Sequence, residues 1–149
     1  MAEPVLEKRD PGEVLGSAWE NGRLGHALLL YGSASSSLEA VAFPLAARVL
    51  GASGSPSRHP DCSIIRPVNK MRQIGVDAVR RLVRTVSHSA NQGGRKVGVI
   101  LDADRMNTQA SNAFLKTLEE PPEDTTLLLL STRPNDLLDT IRSRCMTFK

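Results

Sequence analysis

Residues 27–40 read ALLLYGSASSSLEA, and this stretch decides how the chain folds. Ala27 to Tyr31 is an unbroken apolar run of strand length. Gly32 is a turn, and Ser33 to Ser37 form a loop of small residues. From there apolar positions recur at helical spacing as far as Leu50, so a helix is expected to follow. Strand, glycine turn and helix N-terminus together are the outline of a phosphate-binding loop. The groups that do the phosphate chemistry are missing. With Gly32 set on the first glycine of G-x-x-x-x-G-K-[ST], Ser37 takes the second glycine. Leu38 then takes the lysine, and Glu39 the hydroxyl that holds Mg²⁺. Leu38 brings no charge, and Glu39 brings the wrong one. A carboxylate about 4 Å from a phosphate charge costs about 1 kcal/mol in water and about 4 kcal/mol in a half-buried site. On these residues alone, the stretch reads better as a strand–turn–helix of some unrelated α/β protein.

Outward from this stretch, two more apolar runs stand out. Lys96 to Leu101 (KVGVIL) ends in Asp102, and Thr126 to Leu130 (TLLLL) ends in Ser131 and Thr132. Cys62 to Ile65 and Cys145 to Phe148 are shorter β-type runs. Between them lie helical patterns at Glu13–Arg23, 38–50, Asp77–Val86, Thr108–Glu119 and Asp136–Arg142. Asp10 is placed to cap the first of these, with Pro11 at its first position and Glu13 at the capping-box position. Pro44 is expected to kink the second, Asn107 or Thr108 to cap the fourth, and Pro121-Pro122 to end it. Turns are expected at 51–60 and at Asn91–Arg95. Strands alternate with helices, and three strands are continuous apolar runs. That pattern calls for an α/β three-layer sandwich on a parallel, five-stranded sheet. Right-handed crossovers then bring the loops after the strands to one edge, where Gly32–Ser37, Asp102–Asn107 and Ser131–Pro134 converge.

Composition narrows the functional classes. The chain has 149 residues, 40% hydrophobic and 23% charged, with a net charge of +3. That is one ordinary domain, expected to span 1–149 with Met1 to about Arg23 as a helical lead-in. Aromatic residues make up only 3%, so Leu, Val, Ile and Ala must build the core. Between Arg58 and Lys96 nine basic residues face two acidic ones, Asp61 and Asp77. This stretch reads as a solvated face or a nucleic-acid contact, but no aromatics are interleaved for base stacking. The N-terminus is too charged for a secretory signal, and no apolar run reaches membrane-span length. Cys62 and Cys145 read as reduced thiols of a cytoplasmic protein.

Asp102 sits where a P-loop enzyme puts its Mg²⁺-orienting carboxylate. The next position, where hydrolases carry the water-activating Glu, is Ala103, and Asp104 lies one residue too far along. Asp102 reads equally as an Asp that caps the start of the next helical turn. Beyond it runs Asn112 to Pro122, NAFLKTLEEPP. With GHALLLYG, HPD, IGVDAVRRL, LLLLSTRP and IRSRC in order, the chain resembles the clamp-loader branch of the bacterial AAA+ ATPases over nearly its whole length.

That resemblance implies a subunit which keeps the ATPase frame and does not hydrolyse ATP. The degenerate nucleotide site is Gly32, Ser37, Leu38, Glu39, Asp102 and Ala103. Ser143-Arg144-Cys145 matches the family's partner-facing motif, which makes Arg144 the position of an arginine finger offered in trans. A guanidinium suits that role, since it donates bidentately to phosphate oxygens and stays charged at any working pH. The partners implied are the clamp-loader ATPase subunits and the other subunits of a DNA polymerase holoenzyme, with DNA touched only indirectly. Catalysis would then belong to the assembly.

The resemblance also implies a helical lid and a collar domain after the SRC motif, outside this chain. The family often inserts a four-cysteine zinc module after the P-loop helix; here that region holds only Cys62 and His59, too few donors for a closed site. No metal and no ATP are therefore expected. Ser131 and Thr132 sit at the sensor position and are expected to cap the following turn. Two other readings stay open at this point: a nucleotide-binding switch or weak ATPase using Ser33–Ser37, and a nucleic-acid-binding module using Arg58–Lys96.

Overall fold

The computed structural model describes residues 11–52, 54–68, 71–88 and 94–149. Asp10, Lys70 and part of the Asn91–Arg95 turn lie outside these. The elements in order are α1 (Pro11–Glu20), β1 (Ala27–Tyr31), α2 (Ser35–Leu50), β2 (Cys62–Ile65), α3 (Val76–Ser87), β3 (Lys96–Ile100), α4 (Thr108–Glu119), β4 (Thr125–Ser131), α5 (Asp139–Arg142) and β5 (Met146–Phe148). The five strands form one parallel sheet in the order β2-β3-β4-β1-β5. The three strong apolar runs are its centre, as continuous hydrophobicity requires of strands covered on both faces.

Alternation along each strand splits the core in two. Leu29, Ile100, Leu127 and Leu129 face α3 and α4, meeting Val79, Leu82, Val86, Phe114 and Leu118. Leu28, Leu30, Val97, Val99, Leu128 and Leu130 face α2 and α1, meeting Leu38, Ala42, Leu45, Val49 and Leu15. This is the three-layer sandwich. Gly98 shows how tightly the layers close. A Cβ there would stand 2.9 Å from Leu82 Cδ2 and 3.0 Å from Leu127 Cδ2, so only glycine lets α3 lie this near the sheet.

Several element boundaries differ from those the sequence suggests. The small-residue loop is shorter: α2 begins at Ser35, so Ser35, Ser36 and Ser37 are helical. Ala34 is extended (φ −139°, ψ 130°) and the helix closes at once behind it. With Ser at the second-glycine position, no residue holds the chain out of the helical region. α2 then runs unbroken through Pro44. The first helix ends at Glu20, not Arg23, because Gly22 (φ 68°) turns the chain. Arg23 N–H donates to Ala18 O and Gly22 N–H to Trp19 O, a Schellman closure.

The helix expected over Asp136–Arg142 is two pieces, a 3₁₀ turn at Pro134–Asp136 and α5 at Asp139–Arg142. Leu137 breaks it by extending (ψ 152°) to bury its side chain against the α4 face. Asn107 is the cap of α4, its Oδ1 accepting from Ala110 N–H at 2.9 Å.

Candidate functional site

The three loops do converge at the C-terminal edge of the sheet. Gly32 N–H donates to Ser131 O at 3.4 Å. Ser35 Oγ donates to Asp102 Oδ1 at 3.1 Å, joining the start of α2 to the end of β3. Ser131, fully buried, donates from Oγ to Asp104 Oδ1 at 2.6 Å and accepts from Arg133 N–H at 3.0 Å. Ser131 thus caps the turn, as expected, and Thr132 lies half-buried beside it.

At the lysine position the side chain points into the protein. Leu38 is buried and packs with Leu28, Leu30 and Leu45. Its Cδ2 stands 3.4 Å from where a Cβ on Gly32 would be, so the isobutyl group closes over the turn. Ala103 is fully buried. Asp102, in the left-handed region (φ 52°), is turned toward Ser35. One oxygen of the carboxylate at the metal-orienting position thus accepts from a neutral hydroxyl. Ser37 is exposed and Glu39 half-buried.

A cavity of about 150 Å³ opens here, lined among others by Ser35, Glu39, Arg66, Arg72 and Asp102. Arg66 and Arg72 were not among the residues expected here. The edge rule that places the other loops also finds Arg66, the residue after the last of β2. Arg72 has no comparable signal: it arrives through a left-handed turn (φ 53°), and Arg105 holds that turn by donating to the carbonyls of Arg72 (2.7 Å) and Met71 (3.0 Å).

Arg144 lies elsewhere. In the β1–β5 register Met146 stands opposite Leu28, near the start of β1, while Gly32 follows its end. Ser143-Arg144-Cys145 therefore occupies the N-terminal edge of the sheet. It is displaced from Gly32 by about 13 Å or more along the strand direction, at 3.3 Å per residue. Ile141, fully buried, anchors the turn, and Arg144 N–H donates back to Ile141 O at 3.1 Å. The Arg144 guanidinium donates from Nη1 to Thr140 O at 2.9 Å, and its Nη2 lies 3.7 Å from Glu119 Oε1.

Cys145 tucks against the α4-side core, and burial pushes its thiol up to about 11; Cys62, against the other core, is pushed up to about 12. Both thiols are held neutral, so the stability linked to them is fully present below pH about 8.5 and is lost as pH rises toward the folded values. Iodoacetamide at pH 7.5 is expected to label neither cysteine in the native protein and both in denaturant. Fast native labelling at either site would show that its side chain is not packed as described.

The basic stretch does not make one face. Arg66 and Arg72 are at the C-terminal edge, and Arg80, Arg81 and Arg84 lie on α3. Arg95 is at the far end, over the Trp19 ring at 4.8 Å and 3.6 Å from Asp124, and Lys96 is buried. Where the resemblance places a zinc module, a 3₁₀ turn at Pro56–Arg58 crosses instead, and His59 Nδ1 accepts from Asp61 N–H at 3.0 Å. Among the described residues no helix is long and apolar enough to cross a membrane.

Comparison with known proteins agrees with this frame. A DNA polymerase III subunit delta' of Pseudomonas aeruginosa is 43% identical over 136 residues, covering 81% of this chain and 42% of that protein. A DNA polymerase III gamma subunit-related protein of Thermotoga maritima superposes with a TM-score of 0.78 at 33% identity, over 93% of this chain and 45% of that one. RuvB of the same organism shares the fold, with a TM-score of 0.61 at 17% identity. The chain thus spans less than half the length of the relatives it matches. Residues 8–149 match the family described as "DNA polymerase III, delta subunit", and the chain belongs to that family.

Proposed function

We propose that this chain is the AAA+ module of a clamp-loader subunit that hydrolyses no ATP and works as a rigid stator. In that role it completes the active site of a neighbouring ATPase subunit while the assembly places a sliding clamp on DNA in the bacterial cytoplasm. One observation supports the proposal: Arg144, in the intact SRC motif, is at the edge of the sheet opposite the loop at Gly32. An arginine so placed cannot reach its own site. It can reach the site of a subunit packed head to tail against it, the arrangement that builds a ring or spiral.

The closed site supports the stator half. Leu38 fills the lysine's place with a core side chain, Asp102 is engaged by Ser35, and Glu39 repels phosphate. The partners that follow are the clamp-loader ATPase subunits and, through them, the rest of the polymerase holoenzyme. DNA contact is indirect, since the basic residues are spread over both ends of the sheet. No ATP and no zinc are part of this chain's function.

Calorimetric titration with ATP and Mg²⁺ tests the closed site: no binding is expected at nucleotide concentrations up to about 1 mM, a Kd limit equivalent to about 4 kcal/mol. Micromolar binding would overturn this half and favour a nucleotide switch.

A further inference from the structure

We infer that Glu119 is the positioning residue of Arg144, holding the guanidinium in the pose from which it is presented to a partner. This inference rests on the finger reading above and adds to it the residue on which the finger depends.

The reasoning starts from a local rule that the sequence breaks. α4 ends in Lys116-Thr117-Leu118-Glu119, with Glu120 as the next residue. Carboxylates at a helix C-terminus face the negative end of the macrodipole, where a cation is favoured. A rule broken on an exposed helix end, with no gain to the helix itself, points to a task for the side chain. The structure supplies the task. Glu119 Oε1 lies 3.7 Å from Arg144 Nη2, and the other terminal nitrogen of the same guanidinium donates to Thr140 O in α5 at 2.9 Å.

Arg144 is therefore held from two sides, by a carboxylate on α4 and a backbone carbonyl on α5. Both terminal nitrogens are engaged on the domain side, and the side chain is still 40% exposed. The backbone turn that carries it is fixed by buried Ile141 and by half-buried Cys145, which packs against the core. A long arginine on a surface turn otherwise samples many rotamers, and ordering it has an entropic cost at the moment of use. Two-point fixation removes part of that cost in advance. The ion pair is half-exposed, so it orients the guanidinium without holding it against a stronger phosphate partner.

Two alternatives predict different behaviour. If Glu119 only neutralised Arg144 and masked it, its removal would free the finger and raise activity. If it only stabilised α4, its removal would change melting and leave the finger alone.

The test uses the full-length subunit in a clamp loader reconstituted so that only the ATPase site facing this chain is competent, with its clamp and primed DNA, measuring steady-state ATP turnover. Glu119→Gln is expected to lower kcat by about threefold to tenfold with KM for ATP unchanged, since misplacing a transition-state group acts on the chemical step. Glu119→Asp, which keeps the charge on a shorter arm, is expected to recover part of the loss. The effect is expected to vanish in an Arg144→Ala background, the signature of two residues acting through one. Unchanged or raised kcat in Glu119→Gln overturns the positioning role. So does an equal loss in the Arg144→Ala background. If Arg144→Ala itself leaves turnover unchanged, the finger reading has failed, and that result is distinct from failure of the positioning role alone. The melting temperature of Glu119→Gln, expected within about 2 °C of the parent, separates either outcome from a folding defect.

Discussion

In a clamp loader reconstituted so that only the ATPase site facing this chain is competent, Arg144→Ala is expected to lower ATP turnover by about 10³-fold, at the low end of what an arginine finger contributes. The expectation follows from position and chemistry together. Arg144 is exposed at the N-terminal edge of the sheet, on a turn that buried Ile141 holds in place. Among the described residues its side chain's polar contacts are one carbonyl and one half-exposed carboxylate, so losing the side chain should change the domain's own stability by less than about 1 kcal/mol. A large kinetic effect without a folding effect is what a residue serving another subunit shows. Arg144→Lys is expected to fall between the two, since an ammonium keeps the charge and loses the planar fork. A ratio of parent to Arg144→Ala turnover near one removes the finger role and leaves Arg144 as a surface ion pair with Glu119.

The sheet was legible in the sequence because its strands are apolar on both faces. ALLLY, KVGVI and TTLLLL have no alternative to a buried parallel ladder, and the connecting helices carry their core positions at regular spacing. The convergence of the loops at Gly32, Asp102 and Ser131 followed from strand direction and crossover hand alone. The motifs gave the identities of the positions, but not what now fills them. That Ser35 starts α2 early and bonds Asp102 depends on a helix boundary, set by the balance between a glycine-free turn and a serine-rich first turn; the sequence pattern does not resolve that balance. The burial of Leu38 was not read from the sequence either; it follows from how the first turn of α2 packs on the sheet. Arg66 and Arg72 looked like members of a charge run. Only the fold distributes that run over two edges and a helix, and gives Arg105 two carbonyls to hold. The two helix fragments around Leu137 were hidden for a similar reason: the pattern of a short helix and that of a 3₁₀ turn followed by a buried extended Leu differ by one residue's ψ.

Phe114→Ala is expected to destabilise the domain by about 3–5 kcal/mol, a large share of the 5–15 kcal/mol that holds a typical domain together. The chain has only three Phe, one Tyr and one Trp, and among the described residues Phe114 is the one aromatic side chain in the fully buried core. It lies on α4 within the cluster that joins α3, α4 and the β3–β4–β1 face, with Ala103 and Ala110 also in that cluster. Those alanines have no atoms to move into a void. The sheet behind them is fixed by the central ladders, and Gly98 already lets α3 sit as close as Leu82 and Leu127 allow. The cavity left by the ring would therefore stay open, which places the cost toward the upper part of the range. At about 2–4 °C per kcal/mol for a chain of this size, the melting temperature should fall by about 6–20 °C. Phe114→Leu, which returns most of the volume, should cost only about 1–1.5 kcal/mol. In urea, both variants should shift the midpoint and leave the slope unchanged, because the surface exposed on unfolding is the same. A loss below about 1 kcal/mol for Phe114→Ala would mean that the α4 face is not where this core is closed. The placement of Glu119 and Arg144, which hang from the end of that helix and the turn beside it, would then have to be redrawn.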